Sequence, residues 1–133
     1  TYTKAIKVHS MASSPFNSTI MMDFDTFPCR ADFVEPLGSM LNGSNIAMSN
    51  EFNGRMGEVH DYRHWMAEHN SALVVLNMET VLTRILLGLY VQAFHTMLEH
   101  NPKLTRDQPS FMVALRALSD PPPGETYTNK WAT

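Results

Sequence analysis

Residues 71–100 run without a proline and with a single glycine, Gly88. Within them, the stretch from Ser71 to Leu98 is apolar at most positions. The polar or small positions Asn77, Thr80, Arg84, Gly88, Gln92 and His95 follow one another at steps of three or four residues. Such spacing draws one narrow polar stripe along an otherwise apolar helix, and a helix apolar over most of its circumference must be buried in protein or in lipid. The rest of the chain has to be arranged around that requirement.

The fold class expected is mainly α. A long central helix is placed at about 71–100, a preceding helix at about 57–70 and a short C-terminal helix at about 109–118. The last of these opens at Asp107 and carries Phe111, Met112, Leu115 and Leu118 at helical spacing. Asn101-Pro102 ends the central helix, because the residue before a proline is driven out of the helical region. Residues 1–56 read as a largely irregular arm rich in turn formers. Within it, a weakly alternating extended segment is expected at 1–9. A short helix is expected near 32–42, with Asp32 as its N-cap and Gly43 past its end. Residues 57–120 form the expected helical core, and Pro121-Pro122-Pro123-Gly124 starts an extended tail over 121–133. The whole is a single small domain.

The medium around the central helix is open at this level. A span needs about 20 predominantly apolar residues, and Leu73–Val91 lies close to that threshold. Glu79 and Arg84 fall inside the window, and each costs roughly 2.5–3.5 kcal/mol near a bilayer centre. The stretch from Glu79 to Ala93, Glu-Thr-Val-Leu-Thr-Arg-Ile-Leu-Leu-Gly-Leu-Tyr-Val-Gln-Ala, resembles the first membrane helix of the small anchor subunit of mitochondrial succinate dehydrogenase. That resemblance implies a helix set in a respiratory membrane complex. The further spans and haem-ligand pattern of that family do not occur in this chain, so no residue role is carried over.

Composition narrows the function classes. Ten Lys and Arg against thirteen Asp and Glu give a net charge of −3. With no basic stripe, nucleic acid is not expected as a partner, since phosphate binding needs clustered Lys and Arg. One cysteine, Cys29, excludes an intramolecular disulfide and any multi-cysteine zinc site. Residues 1–30 lack the apolar core of a secretory signal. Thr1 in place of methionine is expected of a chain trimmed of its initiator or cleaved from a precursor.

Two clusters have ligand spacing. In a helix, His60, His64 and Glu68 would share one face, so two imidazoles and a carboxylate could hold zinc or iron. His64 with Glu68, and His95 with Glu99, also resemble the His-x3-Glu element of hemerythrin-like bundles, whose other histidine pairs are missing. Asp23 and Asp25 flank Phe24, with Asp32 and Glu35 close by, in the manner of carboxylates around a divalent ion. The ordinary alternatives are a solvated helix face and an acidic turn. No phosphate loop, nucleophile elbow or nucleotide fingerprint occurs, so no catalytic residue, cofactor-binding residue or resident cofactor is expected.

Methionine is abundant, ten in 133, and Met11, Met21, Met22, Met40, Met48 and Met56 lie in the arm. Residues 8–54 contain one basic residue other than histidine, Arg30. Methionine enrichment with depleted charge is the composition of interface cores. The function expected is therefore that of a non-catalytic structural subunit of a larger protein assembly, with other protein subunits as partners and membrane lipid as an alternative. A mitochondrial membrane complex is the expected location. A small metal-binding protein or oxidoreductase, or a viral coat subunit, is the competing reading. Leu73, Leu76, Glu79, Arg84, Leu86, Gly88 and Phe94 are the residues expected to make the central helix a core or partner element.

Overall fold

The structure is a computed structural model and describes residues 2–50, 69–103 and 106–118. It is a mixed α/β arrangement of four helices and a three-stranded antiparallel sheet among the described residues, and the mainly α expectation is corrected by it. Helix α1 (Tyr2–Ala12) leads into strand β1 (Ser18–Met22), helix α2 (Val34–Ser39) and strand β2 (Ile46–Asn50). Strand β3 (His69–Asn77) is followed by helices α3 (Val81–His100) and α4 (Gln108–Leu118). The sheet has the order β1-β3-β2 and is antiparallel throughout. Residues 57–68 of the expected preceding helix and the tail 121–133 lie outside the described residues.

The expected central helix is two elements. Residues 71–77 form the middle strand of the sheet, hydrogen-bonded on both sides, with Ser18 opposite Asn77 and Met22 opposite Leu73 on one flank. On the other flank Ile46 faces Leu76 and Met48 faces Val74, before a bulge at Met48/Ser49. Val74, Val75 and Leu76 are all buried. A strand covered on both faces loses the apolar-polar alternation that would announce it, and its short apolar run then reads like a piece of buried helix. The break between the two elements is a built turn. The Asn77 side chain accepts from the Glu79 N–H at 3.1 Å, and the Thr80 hydroxyl accepts from the Thr83 N–H at 3.3 Å as the α3 N-cap.

About half of the described part of the expected irregular arm, residues 2–50, is helix or strand. At its start, Val8 and Met11 are fully buried on α1, with Lys4 and Lys7 on the adjoining side. That is helical spacing with lysine stems in the stripe, which a search for alternating apolar residues reads as an interrupted strand. Helix α2 is shorter than the 32–42 expected. Its N-cap is Phe33, not Asp32, whose carboxylate pairs with Arg30. Asn42 (φ 34°) and Gly43 (φ 83°) then turn the chain through left-handed conformations into β2.

Alternation along β3 separates the two faces of the sheet. Val74 and Leu76 join Val8, Met11, Leu86, Leu87, Tyr90, Phe94, Phe111 and Ala114 in one core beneath α1, α3 and α4. Leu73 points the other way, toward α2. Helix α3 is the one helix among the described residues long and apolar enough to cross a membrane by length and composition, with a mean hydropathy of 1.3. It buries Thr83, Leu86, Leu87, Tyr90, Phe94 and Met97 within this fold.

Candidate functional site

The most connected polar residues sit where α1, β1, β3, α3 and α4 meet. Lys7 Nζ lies 2.6 Å from Asp23 Oδ1 and 3.0 Å from Asp107 Oδ2, and it donates to the Ser71 carbonyl at 2.9 Å. Its side chain is 11% exposed. The same Asp107 oxygen accepts from Tyr90 OH at 2.8 Å and from Ser71 Oγ at 3.3 Å, while Lys4 Nζ stands 3.6 Å from the other oxygen. Two ammonium groups thus meet two carboxylates.

The electrostatics follow from that geometry. Burial works to raise the Asp107 pKa, but the Lys7 charge and the hydrogen bonds from Tyr90 and Lys7 outweigh it and hold the carboxyl below its ordinary range. The Tyr90 phenol is pushed far above its ordinary value by burial and by the Asp107 charge beside it. Both groups therefore stay in single protonation states across the physiological range. Ser71 beside a lysine superficially resembles a nucleophile with its base. Every Lys7 proton already has an acceptor, however, and none of these residues lines the cleft described below. The arrangement is a five-element lock. Sequence reading placed Asp107 at the mouth of the last helix but missed its partners, because Lys7, Asp23 and Ser71 are far away in the chain.

The feature open to a ligand lies on the opposite face of the sheet. A cleft of about 290 Å³ is floored by Met22 and Leu73, walled by Phe27, Phe33, Pro36 and Leu37, and rimmed by Thr26, Pro28, Cys29 and Arg30. Its lining is almost wholly apolar. Arg30 at the rim is held by Asp32 through two hydrogen bonds of 2.9 and 2.6 Å. The guanidinium keeps the Asp32 carboxyl below its ordinary range. Phe27, in the cleft wall, is 79% exposed, and Phe24, three residues earlier, is fully exposed. Cys29 is a free, exposed thiol.

The residues singled out from sequence scatter over this framework. His60, His64 and Glu68 lie outside the described residues. Asp23 is engaged by Lys7, and Asp32 by Arg30, so neither joins an acidic ion-binding turn. Leu73 floors the cleft, while Leu76, Leu86 and Phe94 lie in the core. Glu79 accepts from Asn17 Nδ2 at 3.0 Å across the turn that precedes α3. Arg84 and Gly88 are exposed on α3, and Arg84 Nε donates to the Met78 carbonyl at 3.0 Å. Val81, Leu82 and Ile85, apolar residues in the first turns of α3, are exposed.

Comparison with known proteins gives no match to any family, to any curated protein or to any solved structure.

Proposed function

We propose that this protein is a non-catalytic structural subunit whose apolar surfaces are covered by other protein subunits. The observation that carries the reading is the exposure of Phe27 in the wall of the α2 cleft and of Phe24 three residues before it. Two exposed aromatic rings, one of them walling an apolar cleft, form a surface that gains by being covered, at about 25 cal/mol per Å² of apolar area removed from water. A second apolar surface, made by Val81, Leu82 and Ile85, lies along one side of the first turns of α3. The lock around Lys7 supports a scaffold role, since it ties five elements together with its polar groups already partnered.

Protein rather than lipid is the covering medium in this reading. For α3 to span a bilayer, Leu86, Leu87, Tyr90, Phe94 and Met97 would have to leave the core they share with the sheet, α1 and α4. The test is the solution behaviour of the full chain by sedimentation velocity. Alone, the wild-type protein is expected to associate as concentration rises. Phe24→Ser/Phe27→Ser is expected to be monomeric with an unchanged melting temperature, because neither ring contributes to the core. A wild-type chain that stays a monodisperse monomer at high concentration would overturn the proposal.

A further inference from the structure

We propose that this chain forms a two-fold dimer by antiparallel pairing of β1 with β1 of a second copy, the axis passing at Ile20. Strand β1 is an edge strand, with β3 on one side only. The Asp23 N–H donates to the Ala72 carbonyl and the Met78 N–H to the Asn17 carbonyl, each at 2.8 Å, so the odd-numbered residues of this stretch carry the ladder to β3. The N–H and C=O groups of Ser18, Ile20 and Met22 therefore point outward. Outside the β1–β3 ladder, no backbone hydrogen bond among the described residues engages them. Such a row of backbone groups is a template for another strand.

What flanks the strand points to a second copy as the occupant. Antiparallel pairing centred on Ile20 places Ile20 opposite the partner's Ile20 and Ser18 opposite the partner's Met22, and each such pair exchanges two hydrogen bonds. Continued past the strand ends, the same register brings Phe16 to the partner's Phe24 and Phe24 to the partner's Phe16. Phe16 is 68% exposed and Phe24 fully exposed, and they stand four residues before and four after Ile20. Two large rings in water, equidistant from the centre of an open strand edge, become neighbours in an isologous interface. Aromatic pairs between neighbouring strands add to the stability of the pairing.

The strand also lacks what keeps an edge single. It reads Ser-Thr-Ile-Met-Met, without charge or proline, and its register on β3 is unbroken. Monomeric proteins guard such edges with lysine, proline or a bulge. Strand β2, across the sheet, has a bulge at Met48/Ser49. Thr19 is buried and Met21 packs against the core, so the side chains of Ile20 and Met22 lie on the α2 face, where Met22 floors the cleft. Joining two copies edge to edge sets both clefts on one continuous sheet face. The pairing rests on the reading above that other subunits cover the exposed rings, and it makes one of those subunits a second copy.

The experiment is sedimentation velocity of the full chain carrying Ile20→Lys or Ile20→Glu, singly and as an equimolar mixture, with the wild type and Phe16→Ser alongside. Like charges directly opposite each other oppose strand pairing, so each charged variant alone should associate more weakly by about tenfold or more. The mixture, in which Lys faces Glu, should return to about the wild-type affinity. Phe16→Ser should weaken association severalfold. Hydrogen exchange of the wild type gives a readout that needs no variant. The Ile20 amide should slow about tenfold as the concentration rises well above Kd, while the Met21 amide, already bonded to β3, changes little. A wild type that associates, with both charged variants undiminished or a mixture no tighter than either alone, overturns β1 pairing and leaves the covered-surface reading to the Phe24→Ser/Phe27→Ser result. A wild type that does not associate overturns both. Should the charged variants fail to fold, the Ile20 amide decides, and exchange independent of concentration overturns the pairing.

Discussion

One oxygen of Asp107 receives Lys7, Tyr90 and Ser71 at 3.0, 2.8 and 3.3 Å. Removing a carboxylate from such a centre leaves an ammonium and a phenol in a site built to neutralise them. Breaking a buried pair by deleting one partner costs roughly 3–5 kcal/mol. Asp107→Ala is expected near the lower end of that range, because Asp23 still faces Lys7. Urea denaturation checks this, and a loss below about 1 kcal/mol would show that the lock is not what holds the five elements together. The pH dependence follows from the direction of each shift. Asp107 has a folded pKa below its unfolded value, so its stabilisation is complete above about pH 4 and is lost as pH falls through the folded value. Tyr90 has a folded pKa above its unfolded value, so its contribution is complete below about pH 10 and is lost as pH rises beyond that. Tyr90→Phe is expected to be less stable by about 1.5 kcal/mol at pH 7 from the lost hydrogen bond to a charged acceptor. Its stability should also fall less steeply than that of the wild type between pH 10 and 11. Equal alkaline slopes in the two proteins would count against a buried, neutral Tyr90.

At the scale of elements, the legible parts of the sequence are those marked by local chemistry. Asn101-Pro102 does end α3, and Asp107 does precede α4, because a proline and a capping-type residue act on their immediate neighbours. Within α3 the polar stripe Arg84, Gly88, Gln92 and His95 is the exposed side, as its spacing implies. What could not be read is pairing. The run Leu73–Leu76 is apolar on both faces because β1 and β2 flank it and α2 lies beyond one side, facts held in residues about 25 to 60 positions upstream. The signal that could have separated strand from helix was the turn Asn77-Met78-Glu79-Thr80, with an Asn that folds onto its own backbone and a Thr that caps. Methionines assigned to an interface from composition go partly to the core: Met11 is fully buried, and Met21 and Met48 pack against the same cluster. The weight of the turn is measurable. Thr80→Ala removes the side-chain acceptor for the Thr83 N–H and a hydroxyl contact of 2.7 Å to Thr83, and is expected to cost about 1 kcal/mol. Equilibrium denaturation should show that loss with an unchanged m-value, since one cap shifts stability without altering the surface exposed on unfolding.

For the molecule as a whole, the question is what covers the start of α3. Val81 is 72% exposed and Leu82 and Ile85 are about half exposed, on a helix whose other side is locked into the core. A helix with one side in a protein core cannot present its full circumference to lipid without unfolding that core. A partner protein needs only the outward side, and exposed apolar side chains suit the centre of such a contact. Leu82→Gln/Ile85→Gln separates the two media. Neither side chain is in the core, so the change in melting temperature is expected to be small, within about ±0.5 kcal/mol of stability. Association of the full chain in sedimentation velocity should fall, and the protein should stay in the aqueous phase with or without detergent. A wild-type chain that partitions into detergent micelles, with α3 amides shielded there and the α1–β3 core exchanging freely, would reverse the conclusion: α3 would then have left the fold for the membrane, and the core around Tyr90 and Phe94 would be a resting arrangement of a helix whose working environment is lipid.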